Sequence, residues 1–298
     1  MLAGLVRSLR PAQWAKNTFV LAPLVFAGGL VAPGALARAL AAFATFCAAS
    51  SAVYLVNDLR DREQDRNHPR KRLRPIAAGT LPAGVAGVVA ALLAAAAAAI
   101  APLLGGEFAA ALGAYFGLQI LYTLWLKRVV ILDALAIALG FVVRVYAGAA
   151  AVAVAVSPWL FLCTIFLALF LAFSKRRHEL VLLADGASSQ RGVLSEYSPA
   201  FLDQMMNVVT ASAVVCYALY AVAPETVAKH GSRSLLVTVP MVLFGIFRYL
   251  YLVYQRQEER NPTEAILRDL PFLINIALWG AAVLAIVYGV ELPGAAIR

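Results

Sequence analysis

Nine apolar runs, each roughly 17–25 residues long, divide this chain into bilayer-length segments. They lie at about 17–36, 38–57, 81–103, 107–126, 129–151, 157–174, 202–222, 234–254 and 271–290. Hydrocarbon offers no water to backbone N–H and C=O groups, so a crossing segment must pair them internally, and a run of this length does so as an α-helix. The expected fold is therefore all-α: a polytopic membrane helical bundle with nine transmembrane helices. Composition agrees, since only 14% of the 298 residues are charged and 62% are hydrophobic, against about 25% charged in soluble domains. The third run holds Ala94 to Ala99, which favours close helix contact over chemistry. Small apolar faces of this kind would also let copies of the chain associate as a homo-oligomer. No cleavable leader is expected, because Arg7, Arg10 and Lys16 precede a first run long enough to span. Cys47, Cys163 and Cys216 all lie in apolar runs with no C-x-x-C pair, so neither a disulfide framework nor a zinc site is implied.

Charge predicts the direction of threading. With the N-terminus cytoplasmic, the inner segments would hold Arg7, Arg10 and Lys16, then the seven basic residues between Arg60 and Arg74, Lys127 and Arg128, Lys175 to Arg177, Arg191, Arg256, Arg260 and Arg268. The outer segments would hold only Arg38, Lys229, Arg233 and Arg298. Such a bias follows the rule that short cytoplasmic loops are rich in Lys and Arg. The net charge of +9 is then a cytoplasmic basic face, and nucleic-acid binding is not needed to explain it. Of the acids, only Glu107, Glu225 and Glu291 would lie outside. Chemistry is expected on the inner side, on loops 58–80, 175–200 and 255–270 capping one transmembrane domain over 1–298.

Three constellations on that side could carry chemistry. In N-D-L-R-D-R-E-Q-D, residues Asn57, Asp58, Asp61 and Asp65 place oxygen donors at the end of a span. Residues four apart lie one above the other on a helix, so Asn57, Asp61 and Asp65 would form one stripe. Hard oxygen ligands suit Mg²⁺, which is usually shared with substrate phosphates, with Mn²⁺ as a substitute. Arg66, Arg70, Lys71, Arg72 and Arg74 follow and offer counter-charge to such phosphates. The second constellation follows the sixth run: Lys175, Arg176 and Glu179, then Arg191 and Tyr197. It reads as an anion pocket, or, for Arg177 and Arg191 alone, equally as a topological anchor. In the third, Arg268 and Asp269 read as cavity lining, and Thr263 and Glu264 before them equally as a helix cap. Polar groups also mark the spans: Lys16 and Asn17 open the first, Gln119, Tyr122 and Lys127 close the fourth, and Asp133 and Arg144 lie in the fifth. Eleven residues along a helix is about 16 Å, so Arg144 would sit near mid-membrane, where an ionisable group is either functional or structurally paired.

These residues resemble the UbiA-type superfamily of intramembrane prenyltransferases. The likeness runs over nearly the whole chain through the nine spans, the Asn57–Asp65 motif, R-P-I-A-A-G at Arg74 to Gly79, and the Tyr122–Lys127 pair. The resemblance implies that the acid motif binds Mg²⁺ and a diphosphate. Typical members carry a second Asp-rich motif after the sixth span; here Lys175, Arg176 and Glu179 stand in that place. That departure is similar to one branch, the decaprenyl-phosphate phosphoribosyltransferases. The marks are R-P-A-Q-W-A-K-N (Arg10 to Asn17), H-P-R-K-R-L-R-P (His68 to Pro75), K-R-R-H-E-L (Lys175 to Leu180), R-G-V-L-S-E-Y (Arg191 to Tyr197) and A-I-L-R-D (Ala265 to Asp269). The branch implies a glycosyltransferase of the bacterial inner membrane, moving 5-phosphoribosyl from 5-phosphoribosyl 1-diphosphate to a polyprenyl (decaprenyl) phosphate for cell-wall or glycan precursors. Asp58, Asp61, Asp65, Lys175 and Glu179 are then the candidate catalytic residues. Lys16, Asn17, Asn57, Arg70, Lys71, Arg74, Tyr122, Lys127, Arg144, Arg176, Arg191, Tyr197 and Arg268 are the candidate substrate contacts. Asn57, Asp58, Asp61 and Asp65 are the candidate metal ligands. A prenyl diphosphate donor with an aromatic or lipid acceptor is the alternative within the superfamily. A secondary transporter is the alternative outside it, although the acid motif has no second copy.

Overall fold

The computed structural model describes residues 1–26, 32–69, 71–184, 192–230, 233–255 and 268–289. Among them, eight helices are long and apolar enough to cross a membrane, and the described regular structure is helical throughout. The chain is a multi-pass membrane protein. Its backbone divides into two compact units, one formed by 1–124 and 143–155, the other by 125–142 and 156–298.

The first unit begins with helix α1 (Leu2–Leu9), which stops at Arg10 in the left-handed region (φ 54°). Pro11 then restarts the chain, lacking an N–H that a continuing helix would need. The chain winds on as a 3₁₀ helix over Pro11–Leu21, leading into the short α2 (Ala22–Phe26). The first expected span thus opens in a tighter winding; 27–31 lie outside the described residues. A 3₁₀ helix eclipses side chains three apart, and Trp14, Asn17 and Val20 use that period. The Trp14 indole donates to Ser51 Oγ at 3.1 Å and the Asn17 amide to Ser50 Oγ at 3.1 Å, while Val20 is buried in the main core. Ser50 and Ser51 belong to α3 (Ala35–Arg60), the central helix of this unit.

Helix α3 runs on through Asp61 into α4 (Arg62–Arg66), and then α5 (Ala83–Leu104) and α6 (Gly106–Leu124) complete the layer. On α5, Ala86, Ala90, Ala97 and Ala101 are buried. Their spacing of four, seven and four is that of one helix face, and small residues there let helix axes approach. Only Ala97 of the alanine stretch Ala94–Ala99 is buried, with Ala94 half-buried and the other four exposed. Phe46 of α3 fills the space between, edge-on to Phe108 at 5.9 Å and tilted on Tyr115 at 5.4 Å.

Helix α7 (Leu132–Val152) gives its first half to the second unit and its second half to the first. At Gly148 it meets the 3₁₀ segment so closely that any Cβ would overlap the Val20 carbonyl. Arg38, near the start of α3, closes one end of the first unit. Its Nε donates to Ala151 O at 2.6 Å and its Nη2 to Leu104 O at 2.7 Å. Those are unpaired C-terminal carbonyls of α7 and α5, where a cation also meets the negative ends of two helix dipoles. The end of α3 that bears the acid motif is therefore opposite Arg38, as the alternating threading requires.

The second unit contains α8 (Pro158–Ala184), α9 (Pro199–Val222), α10 (Pro224–His230), α11 (Val239–Gln255) and α12 (Leu270–Val287). Helices α8 and α9 pair along their lengths, and α11 packs on α9 and α12. Phe170 lies on Tyr249 at 4.6 Å between ring centres. Tyr217 shares a hydrogen bond of 2.6 Å with Thr238 and accepts one from the Trp279 indole at 3.1 Å, so the polar tips of this core are satisfied.

Candidate active site

The acid motif sits where α3 ends. The i to i−4 backbone bonds continue through the break, from Asp61 N to Asn57 O at 2.9 Å and from Asp65 N to Asp61 O at 2.8 Å. The helix nonetheless breaks at Asp61 (φ −87°, ψ 5°), and the four oxygen-bearing side chains differ in surroundings. Asp58 is buried, and its Oδ1 accepts from Arg10 Nη2 at 2.6 Å and from Arg74 Nη1 at 3.1 Å. Asp65 is also buried and its Oδ2 accepts from the same Arg74 nitrogen at 2.7 Å. Arg10 in turn lies over the Tyr54 ring at 4.8 Å. Asn57 Oδ1 accepts from the Thr123 hydroxyl at 3.2 Å. Asp61 is half-exposed, with no side-chain hydrogen bond or ion pair among the described residues. The stripe expected from spacing alone is thus a pair of neutralised carboxylates bridged by Arg74, with one open carboxylate between them.

The basic loop after the motif is built on α4 and a 3₁₀ turn over Lys71–Leu73. His68 Nδ1 accepts from Lys71 N at 3.3 Å. Burial pushes the His68 pKa down, Lys71 and Arg74 add to that, and Asp65 opposes it, so the ring is neutral at pH 7 and this nitrogen is an acceptor. Lys71 is half-buried; Arg70 lies outside the described residues. Hard carboxylate and amide oxygens are the donor set that a Mg²⁺-like cation takes. Among the described residues no three His, Cys, Asp or Glu side chains are gathered as a closed metal cage. The open Asp61 carboxylate fits a cation held by one or two carboxylates and completed by phosphate and water, as Mg²⁺ usually is.

Further into the first unit, Arg144 is 6% exposed and sits among the core helices. Its Nε donates to Asn17 Oδ1 at 2.8 Å and its Nη2 to Tyr115 OH at 3.3 Å, with the guanidinium 4.9 Å from the Tyr115 ring centre. Asn17 reaches back to Ser50 and to Cys47 Sγ at 3.4 Å. Lys16, its neighbour, is exposed on the other side of the 3₁₀ helix.

The second unit holds its own cluster. Asp133, in the first turn of α7, is fully buried. Its Oδ2 accepts from Arg176 Nε at 2.7 Å and its Oδ1 from the Tyr197 hydroxyl at 2.7 Å. That hydroxyl also accepts from Ile131 N at 2.7 Å, where the chain turns with φ 68°. Arg176, 2% exposed, continues through Nη1 to Glu179 Oε2 at 3.0 Å. Burial raises the Tyr197 pKa, and its bond to Asp133 adds to the rise, so the phenol stays protonated. Lys175 is half-buried beside them on α8, and Arg191 lies outside the described residues. Lys127, in a 3₁₀ turn over Leu126–Arg128, and Tyr122, near the end of α6, are half-buried. Neither makes a side-chain hydrogen bond among the described residues.

Two further ion pairs lie in this unit. Arg177 Nε donates to Asp203 Oδ1 at 2.5 Å, and Tyr254 OH to the same oxygen at 2.8 Å. Arg248 grips Asp269 through both nitrogens, at 3.0 and 2.8 Å, while Asp269 Oδ1 also accepts from Phe272 N and caps α12. The cap is thus Asp269, a role not expected of it, and Arg268 beside it is exposed. Thr263, Glu264 and most of loop 255–270 lie outside the described residues. Arg10 and Asp133 are partners that sequence reasoning did not place at the site. Their sequence signals are the first residue of the R-P-A-Q-W-A-K-N mark and an acid at the start of the fifth apolar run.

The UbiA prenyltransferase family model matches residues 18–279. A decaprenyl-phosphate phosphoribosyltransferase of Mycolicibacterium smegmatis is 33% identical over 97% of this chain and 93% of its own. One from Mycobacterium tuberculosis is 34% identical over 95% and 94%. Among solved structures, a UbiA homolog from Archaeoglobus fulgidus bound to GPP and Mg²⁺ superposes with a TM-score of 0.72, over 95% of this chain and 99% of that one, at 20% identity.

Proposed function

The chain belongs to the UbiA prenyltransferase family, and from that premise we propose that it transfers 5-phosphoribosyl from 5-phosphoribosyl 1-diphosphate to a polyprenyl phosphate, releasing diphosphate. The observation that carries this reading is that Lys175, Arg176 and Glu179, with Arg176 paired to Asp133 and Glu179, stand where a family member using two Asp-rich clamps would carry its second set of carboxylates. It agrees with the named activity of the mycobacterial relatives. Decaprenyl phosphate is the acceptor their name specifies.

The reaction breaks the ribose C1–O bond to diphosphate and forms a C1–O bond to the lipid phosphate. Positive, oxocarbenium-like charge builds on C1 as diphosphate departs. The lipid phosphate is already ionised at pH 7, so it needs positioning more than a general base. Asp61 and Asp65, with Asn57 and Asp58 beside them, would hold Mg²⁺ or Mn²⁺ at the diphosphate. When bound, such a cation supplies Lewis-acid neutralisation of the leaving group. Lys16, Lys71 and Arg74 neutralise the remaining oxygens as charge develops there. Arg74 already bridges Asp58 and Asp65, so a phosphate arriving beside it exchanges one anionic partner for another. Lys175 serves a phosphate of the donor or of the lipid. Chemistry is assigned to the cytoplasmic face, where the basic loops fall under the positive-inside rule.

Membranes containing the protein, given polyprenyl phosphate, separate the two donor classes. Ribose-labelled phosphoribosyl diphosphate should place label in the lipid fraction, and labelled prenyl diphosphate should place none in an aromatic or lipid product. Label from the prenyl donor alone would overturn the reading.

A further inference from the structure

Arg176 and Asp133 form an ion pair with side chains 2% and 0% exposed. Burying a charge pair in this way seldom adds net stability over apolar side chains of the same volume, because both ions lose their hydration. The pair does orient the groups bonded to it. Each member of this chain of contacts is hydrogen-bonded to the next. The two Asp133 oxygens take one donor each, from Tyr197 and Arg176. The Tyr197 hydroxyl donates once and accepts once, from Ile131 N. Arg176 is thereby fixed at Nε, and its Nη1 reaches Glu179, whose side chain is 27% exposed. The chain runs outward from a fully buried carboxylate to one that meets the surroundings.

An ionised carboxylate accepts hydrogen bonds and cannot donate one. Glu179 therefore cannot bind a phosphate oxygen directly, although Lys175 stands four residues before it, one helical turn away on α8. A donor carrying both anionic oxygens and hydroxyl groups matches that pair: the cation for the phosphate, the carboxylate for the hydroxyls. A prenyl diphosphate has the first and lacks the second. We propose that Glu179, held in place through the buried chain Tyr197–Asp133–Arg176, recognises the ribose hydroxyls of the donor and sets its specificity, with Asp133 as the positioning residue. The inference rests on the phosphoribosyl reading of the reaction.

The test measures kcat/KM of the purified full-length enzyme for 5-phosphoribosyl 1-diphosphate and for its 2-deoxy and 3-deoxy analogues. Deoxygenation changes the intrinsic reactivity of C1, but that change cancels when the same donor pair is compared between two enzymes. A site built to hydrogen-bond a hydroxyl rejects an analogue lacking it, here by about 100-fold for at least one analogue in the wild type. In Glu179→Ala that discrimination should fall to within a few-fold. Asp133→Asn should lower it part of the way, raising KM for the donor more than KM for polyprenyl phosphate, and adding Asp133→Asn to Glu179→Ala should erode it no further. Glu179→Ala removes a partly exposed side chain, so folding is expected to survive, as read by its elution in detergent. Unchanged discrimination in Glu179→Ala, or a raised Mg²⁺ requirement with discrimination intact, overturns the proposal. A wild type that consumes no phosphoribosyl donor overturns the function itself, and is seen before any variant is made.

Discussion

Asp58 and Asp61 are one helical turn apart and have opposite surroundings. Asp58 is closed in by Arg10 and Arg74, whereas Asp61 has an open carboxylate. Removing Asp58 leaves Arg10 without this anion and Arg74 with Asp65 alone, which should cost roughly 2 kcal/mol given that both arginines are partly exposed. Removing Asp61 strips no contact, and such substitutions stay within about 0.5 kcal/mol. Asp61→Ala should therefore keep the wild-type melting temperature in detergent and lose transfer by at least about 100-fold, while Asp58→Ala should lose both. A melting temperature lowered equally in both variants, or normal turnover by Asp61→Ala, would remove the distinction. Spacing put these acids in register, but it could not say which were already neutralised, because Arg10 and Arg74 come from outside the helix.

The 3₁₀ segment over Pro11–Leu21 is the element where sequence and structure differ most. Its apolar content and length signal a span, and they carry little information about winding. Trp14, Asn17 and Val20 suit a tighter turn only because Ser51, Ser50 and Gly148 receive them, and those partners lie 33 to 128 residues away in the chain. The eight long helices were legible because length and hydropathy alone specify them. The close approach at Gly148 gives an element-level prediction. Gly148→Ala should destabilise the protein by about 1–3 kcal/mol through overpacking, seen as a lower melting temperature. Gly113→Ala on α6 is the control: a Cβ there meets nothing within 4 Å, so stability should hold or rise. Equal behaviour of the two variants would mean that the 3₁₀ segment does not pack on α7 at this point.

For the molecule as a whole, the fold class and the place of the acid motif at a helix end were readable in the chain, because each is written in composition or in local spacing. The Asp133–Arg176–Glu179 network was not, since its two buried ions are 43 residues apart and only the fold joins them. The proposed reaction of this membrane protein moves a phosphorylated sugar, not a prenyl group. The most direct test is mass analysis of the lipid formed by purified protein given Mg²⁺, polyprenyl phosphate and 5-phosphoribosyl 1-diphosphate. The account predicts that the lipid phosphate gains one phosphoribosyl unit, with one diphosphate released per product and none formed after chelation of the metal. An unmodified lipid from that mixture, alongside prenyl transfer when a prenyl diphosphate is supplied instead, would contradict it.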